Sequence, residues 1–402
     1  MRMSEPQPAE GLSPFFADLH VHIGRTQEGQ AVKISGSKNL TFRQIAREAS
    51  ERKGIELIGV IDCHSPAVQR EIMSCLHSGE MEEVAEGGIR YRNTTILLGA
   101  EMEVKEEGGG PYHLLGYLPN LQAMQEWTAW MSPRVTNIQL SSQRIRVTGR
   151  ELQRELTARG GLLIPAHVFT PHRGLLGCSA DRLADRLDPS GIAAIELGLS
   201  ADTDMAGRLS GLDAYPFLTN SDAHSPAMIG RECNELVLRM PSFKELGKAL
   251  KAQEGRGILA NYGLHPELGK YHGTSCASCH RVLSGADEAL SACPDCGSKR
   301  ITRGVAGRIR QLADRPPLSG HVARPPYRPQ VPLSFFPGIG PAKRDRLFAE
   351  VGTEMDVLHR ISPEAIAAVT GERIAELIMA ARSGRIEFTS GSGGSYGSIR
   401  QS

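Results

Sequence analysis

Apolar runs and amphipathic stretches alternate along residues 14–265 of the chain. Residues 55–61, 94–98 and 215–219 read as strands, and so do 162–164 and the AAIELGL run at 193–199, which carries Glu196. Residues 41–49 place Phe42, Ile45, Ala46 and Ala49 on one helical face, and Gly54 ends that helix just before the next strand. Residues 150–159, followed by Gly160 and Gly161, repeat the pattern, and 243–252 read as a last helix. Strands separated by helical patterns predict parallel βα units. Residues 121–148 are long and polar for this frame and read as an insertion near the face where the strands end.

Histidines and carboxylates sit where the apolar runs stop. The stretches are Asp18-Leu19-His20-Val21-His22, Asp62-Cys63-His64, Gly99-Ala100-Glu101 and Asp222-Ala223-His224, with His113 in YHLLGYL and His167 in LLIPAH. Imidazole and carboxylate hold divalent metals while leaving coordination positions open. Alternate residues of a strand share a face, so each H-x-H or D-x-H pair offers two groups to one site. Strand ends are where α/β barrels build active sites. The pattern predicts a multi-metal hydrolase centre.

The cysteines divide into two sets. Cys63, Cys75, Cys178 and Cys233 are scattered and read as small buried hydrophobes. Cys276-x2-Cys279 and Cys293-x2-Cys296 are two knuckles with the spacing of a zinc ribbon, and four thiolates would close the sphere of a structural Zn2+. Two disulfides are disfavoured in a chain without a secretion signal. No run approaches the roughly 18 apolar residues of a membrane span, so the expectation is a soluble cytoplasmic enzyme with no membrane partner.

The net charge of +1 implies no partner, but residues 297–346 hold eleven Lys/Arg against Asp314 and Asp345. That local excess predicts attraction to a phosphate backbone. Within it, LSFFPGIGPAKR at 333–344 resembles a helix-hairpin-helix hairpin: Gly338 and Gly340 let a turn expose backbone N–H groups at a helix start, with Lys343 and Arg344 in the first helical turn. Such a turn grips DNA phosphates without reading sequence. The expected domains are a disordered 1–13, a barrel at 14–265, a zinc ribbon and basic segment at 266–315, a Pro-rich linker at 316–332, a DNA-binding module at 333–388 and a Gly/Ser-rich tail at 389–402.

DLHVH, the Asp62–His64 step, GAEME, YHLLGY, PAH and SDAH, in that order, resemble the PHP superfamily (polymerase and histidinol phosphatase) over residues 15–265. The resemblance implies a distorted (β/α)7 barrel with two or three divalent ions, Zn2+, Mg2+ or Mn2+, and phosphoester hydrolysis. Two departures stand out. Most relatives have Asp and His adjacent where Cys63 intervenes here, which leaves open whether Asp62 or His64 faces the metals. Many also bring a further ligand soon after the first motif, whereas residues 24–38 contain no histidine.

The whole order is more specific. The barrel, HPELGKYH, the four-cysteine ribbon, the PGIG hairpin and a Gly-rich end resemble the endonuclease Q family over nearly all of the chain after residue 14. This resemblance implies nicking of DNA on the 5′ side of deaminated bases (uracil, hypoxanthine, xanthine) and of abasic sites, leaving a 3′-hydroxyl and a 5′-phosphate. Expected first ligands are His20, His22, Glu101, His167, Asp222 and His224, with Asp62, His64 and His113 beside them; Asp222, Glu101 and His167 are expected to carry catalysis. A small-molecule phosphoesterase of the histidinol-phosphatase type is the alternative, but a soluble metabolite needs neither ribbon nor hairpin.

Overall fold

A computed structural model describes residues 10–317 and 322–385 and the strand pair Phe388–Thr389 and Ser398–Ile399. The expected disordered N-terminus and Gly/Ser-rich tail fall largely outside the described residues.

Seven strands form a distorted barrel. Ser13–Val21, Leu57–Val60 and Thr94–Val104 are parallel neighbours, and Tyr112–Leu118 and Leu162–Pro165 continue the wall antiparallel. The short parallel pair Ile195–Glu196 and Phe217–Leu218 completes it. Ala193 donates its N–H to the Leu163 carbonyl at 2.9 Å, and His22 donates to the Ala223 carbonyl at 3.0 Å, which closes the ring. The wall is therefore mixed where regular βα units predicted a parallel one. The reason is local: after Thr94–Val104 the chain turns back through Gly108, Gly109 and Gly110 without a helix, and a short turn can join only antiparallel strands.

The barrel interior takes apolar side chains from every part of this wall, including Leu19, Leu57, Leu97, Leu115, Ile164, Ala194 and Leu218. Phe243, Leu246 and Leu250, from the helix Phe243–Leu250, pack into the same cluster. Apolar filling leaves the other end for polar groups. A larger core lies between strands and helices and runs on into the C-terminal module through Phe16, Met355, Val357 and Ile378. The stretch 121–148 is partly helical: Asn120 caps Leu121–Met131, which buries Met124 and Trp127.

Cys233–Leu238 and Gly257–Gly263 extend the sheet antiparallel beside the first strand. Tyr327–Pro329, inside the expected linker 316–332, pairs parallel with Gly257–Gly263. A proline is tolerated there because the strand lies at the sheet edge. Val282–Leu283, Thr274–Cys276 and Ile301–Thr302 form the ribbon's own small sheet. The helices Pro341–Glu350, Pro363–Thr370 and Glu372–Arg382 form the last module. A buried pair, Lys53 Nζ to Glu354 Oε2 at 2.5 Å, fixes that module to the barrel. Among the described residues no helix is long and apolar enough to cross a membrane.

Candidate metal centre

All seven barrel strands, or the turns directly after them, bring a polar side chain to one end of the barrel. His20 and His22 are both buried, and each has one ring nitrogen held from behind. Glu196 holds His20 Nδ1 at 3.0 and 3.1 Å, and Asp62 Oδ2 holds His22 Nδ1 at 3.1 Å. These carboxylates are themselves fixed: Glu196 accepts from the His167 N–H and Asn220 Nδ2, both at 2.7 Å, and Asp62 accepts from the Ile23 N–H at 2.7 Å. A carboxylate behind an imidazole sets its tautomer and raises its basicity as a ligand. The opposite nitrogens, His20 Nε2 and His22 Nε2, are buried without a hydrogen-bond partner.

What those nitrogens face is decisive. His20 Nε2 lies 3.5 Å from Glu101 Oε1 and 3.4 Å from Asp222 Oδ1; His22 Nε2 lies 3.6 Å from Glu101 Oε2 and 3.5 Å from Asp222 Oδ1. His167 Nε2 is 3.6 Å from Glu101 Oε1, and His224 Nδ1 is 3.6 Å from Asp222 Oδ1. Two ligand atoms each about 2.1 Å from one tetrahedral ion sit roughly 3.4 Å apart. The spacing is long for a hydrogen bond and right for ligands sharing an ion. Three sets of mutually close ligand atoms result: His20, His22 and Glu101; His22, Asp222 and His224; Glu101, His113 and His167. By this spacing the first two sets fit divalent cations; the third, which shares Glu101 with the first, combines the 3.6 Å His167–Glu101 spacing with a His113–Glu101 pair at hydrogen-bond distance.

The structure places the remaining candidates around these sets. His113 Nδ1 is 2.7 Å from Glu101 Oε1. Asp62 and His64 stand outside the three sets: Asp62 backs His22, and His64 Nε2 faces the Leu140 carbonyl at 3.2 Å. Burial works against a charged Glu101, but His113 and Lys33 hold its carboxyl well below the usual range. Burial and the neighbouring His22 push His224 down to about 4, so its imidazole is neutral and available as a ligand. His167 and Asp222 both have positive φ, 29° and 46°, a costly conformation for non-glycine residues that aims both side chains at the centre. Gly198 leaves room for this, since a Cβ there would lie 2.9 Å from His167 Cβ.

Several members escaped the sequence reading. Lys33 comes from the histidine-free segment 24–38; its Nζ reaches Ser142 Oγ at 2.5 Å and Glu101 Oε2 at 3.4 Å. Ser142, also hydrogen-bonded to Glu101, and Ser141, 3.2 Å from His22 Nδ1, come from the insertion. The sequence signals were a lysine where relatives bring a ligand and the expected insertion at 121–148 near the face where the strands end. A cavity of about 540 Å³ opens over the centre, and His172, Arg173, Arg231, Lys270 and Tyr271 help to line it. Lys270 and Tyr271 belong to the segment leading into the ribbon, so that connection forms part of the site.

In the ribbon, Cys276 Sγ lies 3.6 Å from Cys296 Sγ and Cys279 Sγ lies 3.5 Å from Cys293 Sγ. A disulfide needs about 2.05 Å. Thiolates on one tetrahedral zinc, with Zn–S near 2.3 Å, sit roughly 3.8 Å apart. All four sulfurs lie within 4.8 Å of one another. The Cys279 and Ser278 backbone amides help pull the Cys276 thiol down, whereas the neighbouring sulfurs push the Cys279 thiol up, so the four sulfurs act as one group.

In the hairpin, Gly338 has φ 85°, where a side chain would be strained, and Gly340 caps the helix Pro341–Glu350 with open space around its Cα. Lys343 Nζ faces the Thr370 carbonyl at 3.5 Å, and Arg344 lines a groove against the barrel with Arg52 and Phe348. Part of the basic segment is spent inside the molecule: Arg308 pairs with Asp181 at 2.6 Å and Arg315 with Asp213 at 2.5 Å.

A barrel crowned by clustered imidazoles and carboxylates, beside a cavity and a four-cysteine ribbon, defines a metal-dependent phosphoesterase of the PHP type. A family model described as PHP-associated matches residues 203–254. The chain is 50% identical to the uncharacterized protein YqxK of Bacillus subtilis over 391 residues, covering 97% of this chain and 100% of that protein. It is 36% identical to the uncharacterized protein MJ0043 of Methanocaldococcus jannaschii over 224 residues, only 28% of that protein. Two solved structures match along nearly their whole length. The lesion-specific endonuclease PfuEndoQ of Pyrococcus furiosus is 33% identical with TM-score 0.82, covering 96% of this chain and 95% of that one. An Endonuclease Q complex, solved with a 27-mer duplex substrate carrying an abasic lesion at the active site, is 32% identical with TM-score 0.83, covering 97% of each chain. The chain belongs to the endonuclease Q family and is a metal-dependent DNA endonuclease.

Proposed function

We propose that this enzyme nicks DNA on the 5′ side of abasic sites and of deaminated bases, uracil, hypoxanthine and xanthine, at a centre of two or three divalent ions. The observation that carries the reading is the full-length likeness to an Endonuclease Q holding an abasic duplex at its active site. Ligands are His20, His22, Glu101, His113, His167, Asp222 and His224, with Asp62 and Glu196 orienting the first two. Divalent ions bound there lower the pKa of water and neutralise charge on the phosphoryl group. The protein's own groups do the rest. Lys33 adds a fixed positive charge beside Glu101. Arg231 donates Nε–H to the Ser221 carbonyl at 2.8 Å and so steadies the turn carrying Asp222. The cavity is within the range that takes a small ligand or one nucleotide, and His172 and Tyr271, 5.3 Å apart edge to face, offer ring surface to an extruded base. The ribbon holds one structural Zn2+. The hairpin residues Gly338, Gly340, Lys343 and Arg344 grip the DNA backbone, with barrel 14–265, ribbon 266–315 and module 333–388 dividing chemistry from grip.

The test is a labelled duplex with one abasic site or one deoxyuracil, with and without added Mg2+, Mn2+ or Zn2+, its products mapped on a denaturing gel. A metal-dependent cut 5′ to the lesion is expected, with the matched undamaged duplex intact. A cut on the 3′ side, or equal cutting of undamaged DNA, rejects the reading.

A further inference from the structure

The most exposed large apolar side chain among the described residues is Ile34, at 81%. Its position sets it apart from an ordinary surface isoleucine. Lys33, on one side of it, reaches Glu101 in the metal centre, and both Lys33 and Ser35 line the catalytic cavity. Ile34 is therefore the outward-facing tip of a loop whose two neighbours form the mouth of the site.

The loop is held firmly. The Val32 and Lys33 N–H groups donate to the Gly24 and Ile23 carbonyls at 3.0 and 2.9 Å, directly after His22. The Val32 carbonyl accepts from the Ser141 N–H at 3.0 Å, and the Ser37 N–H donates to the His224 carbonyl at 2.8 Å. Across the tip, the Gly36 N–H closes a turn onto the Lys33 carbonyl at 2.9 Å. Close approach of the backbones depends on Gly24, where a Cβ would collide with the Ser37 carbonyl. Both ends of the loop are thus bonded next to metal-ligand candidates, and the tip cannot fold its apolar side chain back without breaking them. A β-branched side chain adds rotamer stiffness.

An apolar side chain held rigidly in water at the mouth of a nuclease site has one natural partner: the inside of a base stack. We infer that Ile34 is a wedge that enters the duplex beside the lesion and fills the space left when the damaged nucleotide turns into the cavity. Proteins that unstack or kink duplexes use apolar side chains in this way, since an aliphatic group replaces part of the lost stacking and excludes water from the gap. The inference rests on the proposed lesion endonuclease reading. It assigns separate tasks to adjacent residues, with Lys33 turned to Glu101 in the metal centre and Ile34 to the bases.

The test compares one lesion in two settings. The parent, Ile34→Ala and Ile34→Leu are assayed under single turnover on a duplex with one abasic analogue and on the same strand alone. A single strand has no opposing stack to repair, so the wedge contributes nothing there. Ile34→Ala should slow nicking of the duplex by about tenfold or more while changing the single strand by less than about twofold. Ile34→Leu should stay near the parent on both. A 2-aminopurine base opposite the lesion should brighten on binding the parent and much less with Ile34→Ala. Equal duplex rates for parent and Ile34→Ala overturn the inference, and so does an equal loss on both substrates, which would make Ile34 a support for the site. A parent that nicks neither substrate instead overturns the lesion reading, and this one with it, before any variant is compared.

Discussion

In the barrel, His20 and His22 are buried and braced from behind by Glu196 and Asp62, and a cavity with room for substrate opens beside them, lined by His22, Glu101, His167 and Asp222. In the ribbon, four thiols converge from two short knuckles, and Cys279 and Cys296 are exposed. The candidate barrel ligands come from strands up to about two hundred residues apart in sequence, such as His20 and Asp222, whereas the four ribbon cysteines lie within twenty-one positions. A fold must exist before the first site can, but a metal can help create the second. The difference teaches which site does chemistry. Imidazole and carboxylate ligands would leave positions for water and phosphate, whereas four thiolates on one ion would leave none.

The largest effect expected from breaking this contrast is at Asp222. Asp222→Asn removes a carboxylate that faces His20, His22 and His224 and touches neither ribbon nor hairpin. Single-turnover nicking should fall by about a thousandfold or more, because charge neutralisation and water activation depend on the ions. Binding of lesion DNA, measured by anisotropy, should stay within a few-fold of the parent. Retained nicking would remove Asp222 from the ligand set.

Cys276→Ser attacks the other side. Elemental analysis should show about one zinc fewer per chain, and hydrogen exchange should lose protection across 274–302, since a structural zinc contributes folding energy directly. The barrel amides around His20 and Glu101 should keep theirs. Unchanged zinc content would sink the ribbon assignment. Loss of protection in both regions would show that the two sites are not independent.

Glu196→Gln sharpens the contrast, because among the described residues no carboxylate is hydrogen-bonded to a ribbon sulfur. The substitution keeps the shape and the acceptor oxygen but removes the charge behind His20. Metal affinity of the barrel centre, or nicking at limiting metal, should drop by about 10- to 100-fold and recover in part at high metal. A variant indistinguishable from the parent in metal titration would make Glu196 a packing residue.

These residues also mark how far the sequence could be read. The ligand motifs were legible because period-two spacing at strand ends is a local signal, and the ribbon because its four cysteines are close together. Glu196 was visible only as a carboxylate in an apolar strand; its task depends on two other strands bringing His20 and Asn220 against it. Lys33 could not be found, since nothing local distinguishes a lysine that turns inward from one in solvent. The excess of Arg over 297–346 was legible as charge but not as purpose. Arg308 and Arg315 meet Asp181 and Asp213 from the barrel, more than a hundred residues away, and no count within the segment reveals that. The mixed wall of the barrel was missed for a similar reason, because pairing direction follows from the length of a connection and not from the pattern inside a strand.

The smallest effect tests the seam between the two regions. Glu232 is fully buried where the barrel passes into the ribbon connection; its Oε1 accepts from the Leu264 N–H at 2.9 Å, and its Oε2 has no partner. Burial pushes its carboxyl from an ordinary 4.5 up to about 8. The folded protein therefore holds this proton more tightly than the unfolded chain does. Below pH 4.5 both states carry it and stability is unaffected. As pH rises from there to about 8, the unfolded chain releases the proton while the folded one must keep it, so stability falls across that window and levels off above it. Glu232→Gln keeps the size and a donor but cannot ionise. Its melting temperature should match the parent's near pH 5 and exceed it at pH 8 by on the order of 5 °C. Metal content and nicking should not change, since Glu232 belongs to neither ligand set. A parent and variant whose melting curves shift in parallel from pH 5 to 8 would show that Glu232 already ionises in the folded state and that the seam is open to water.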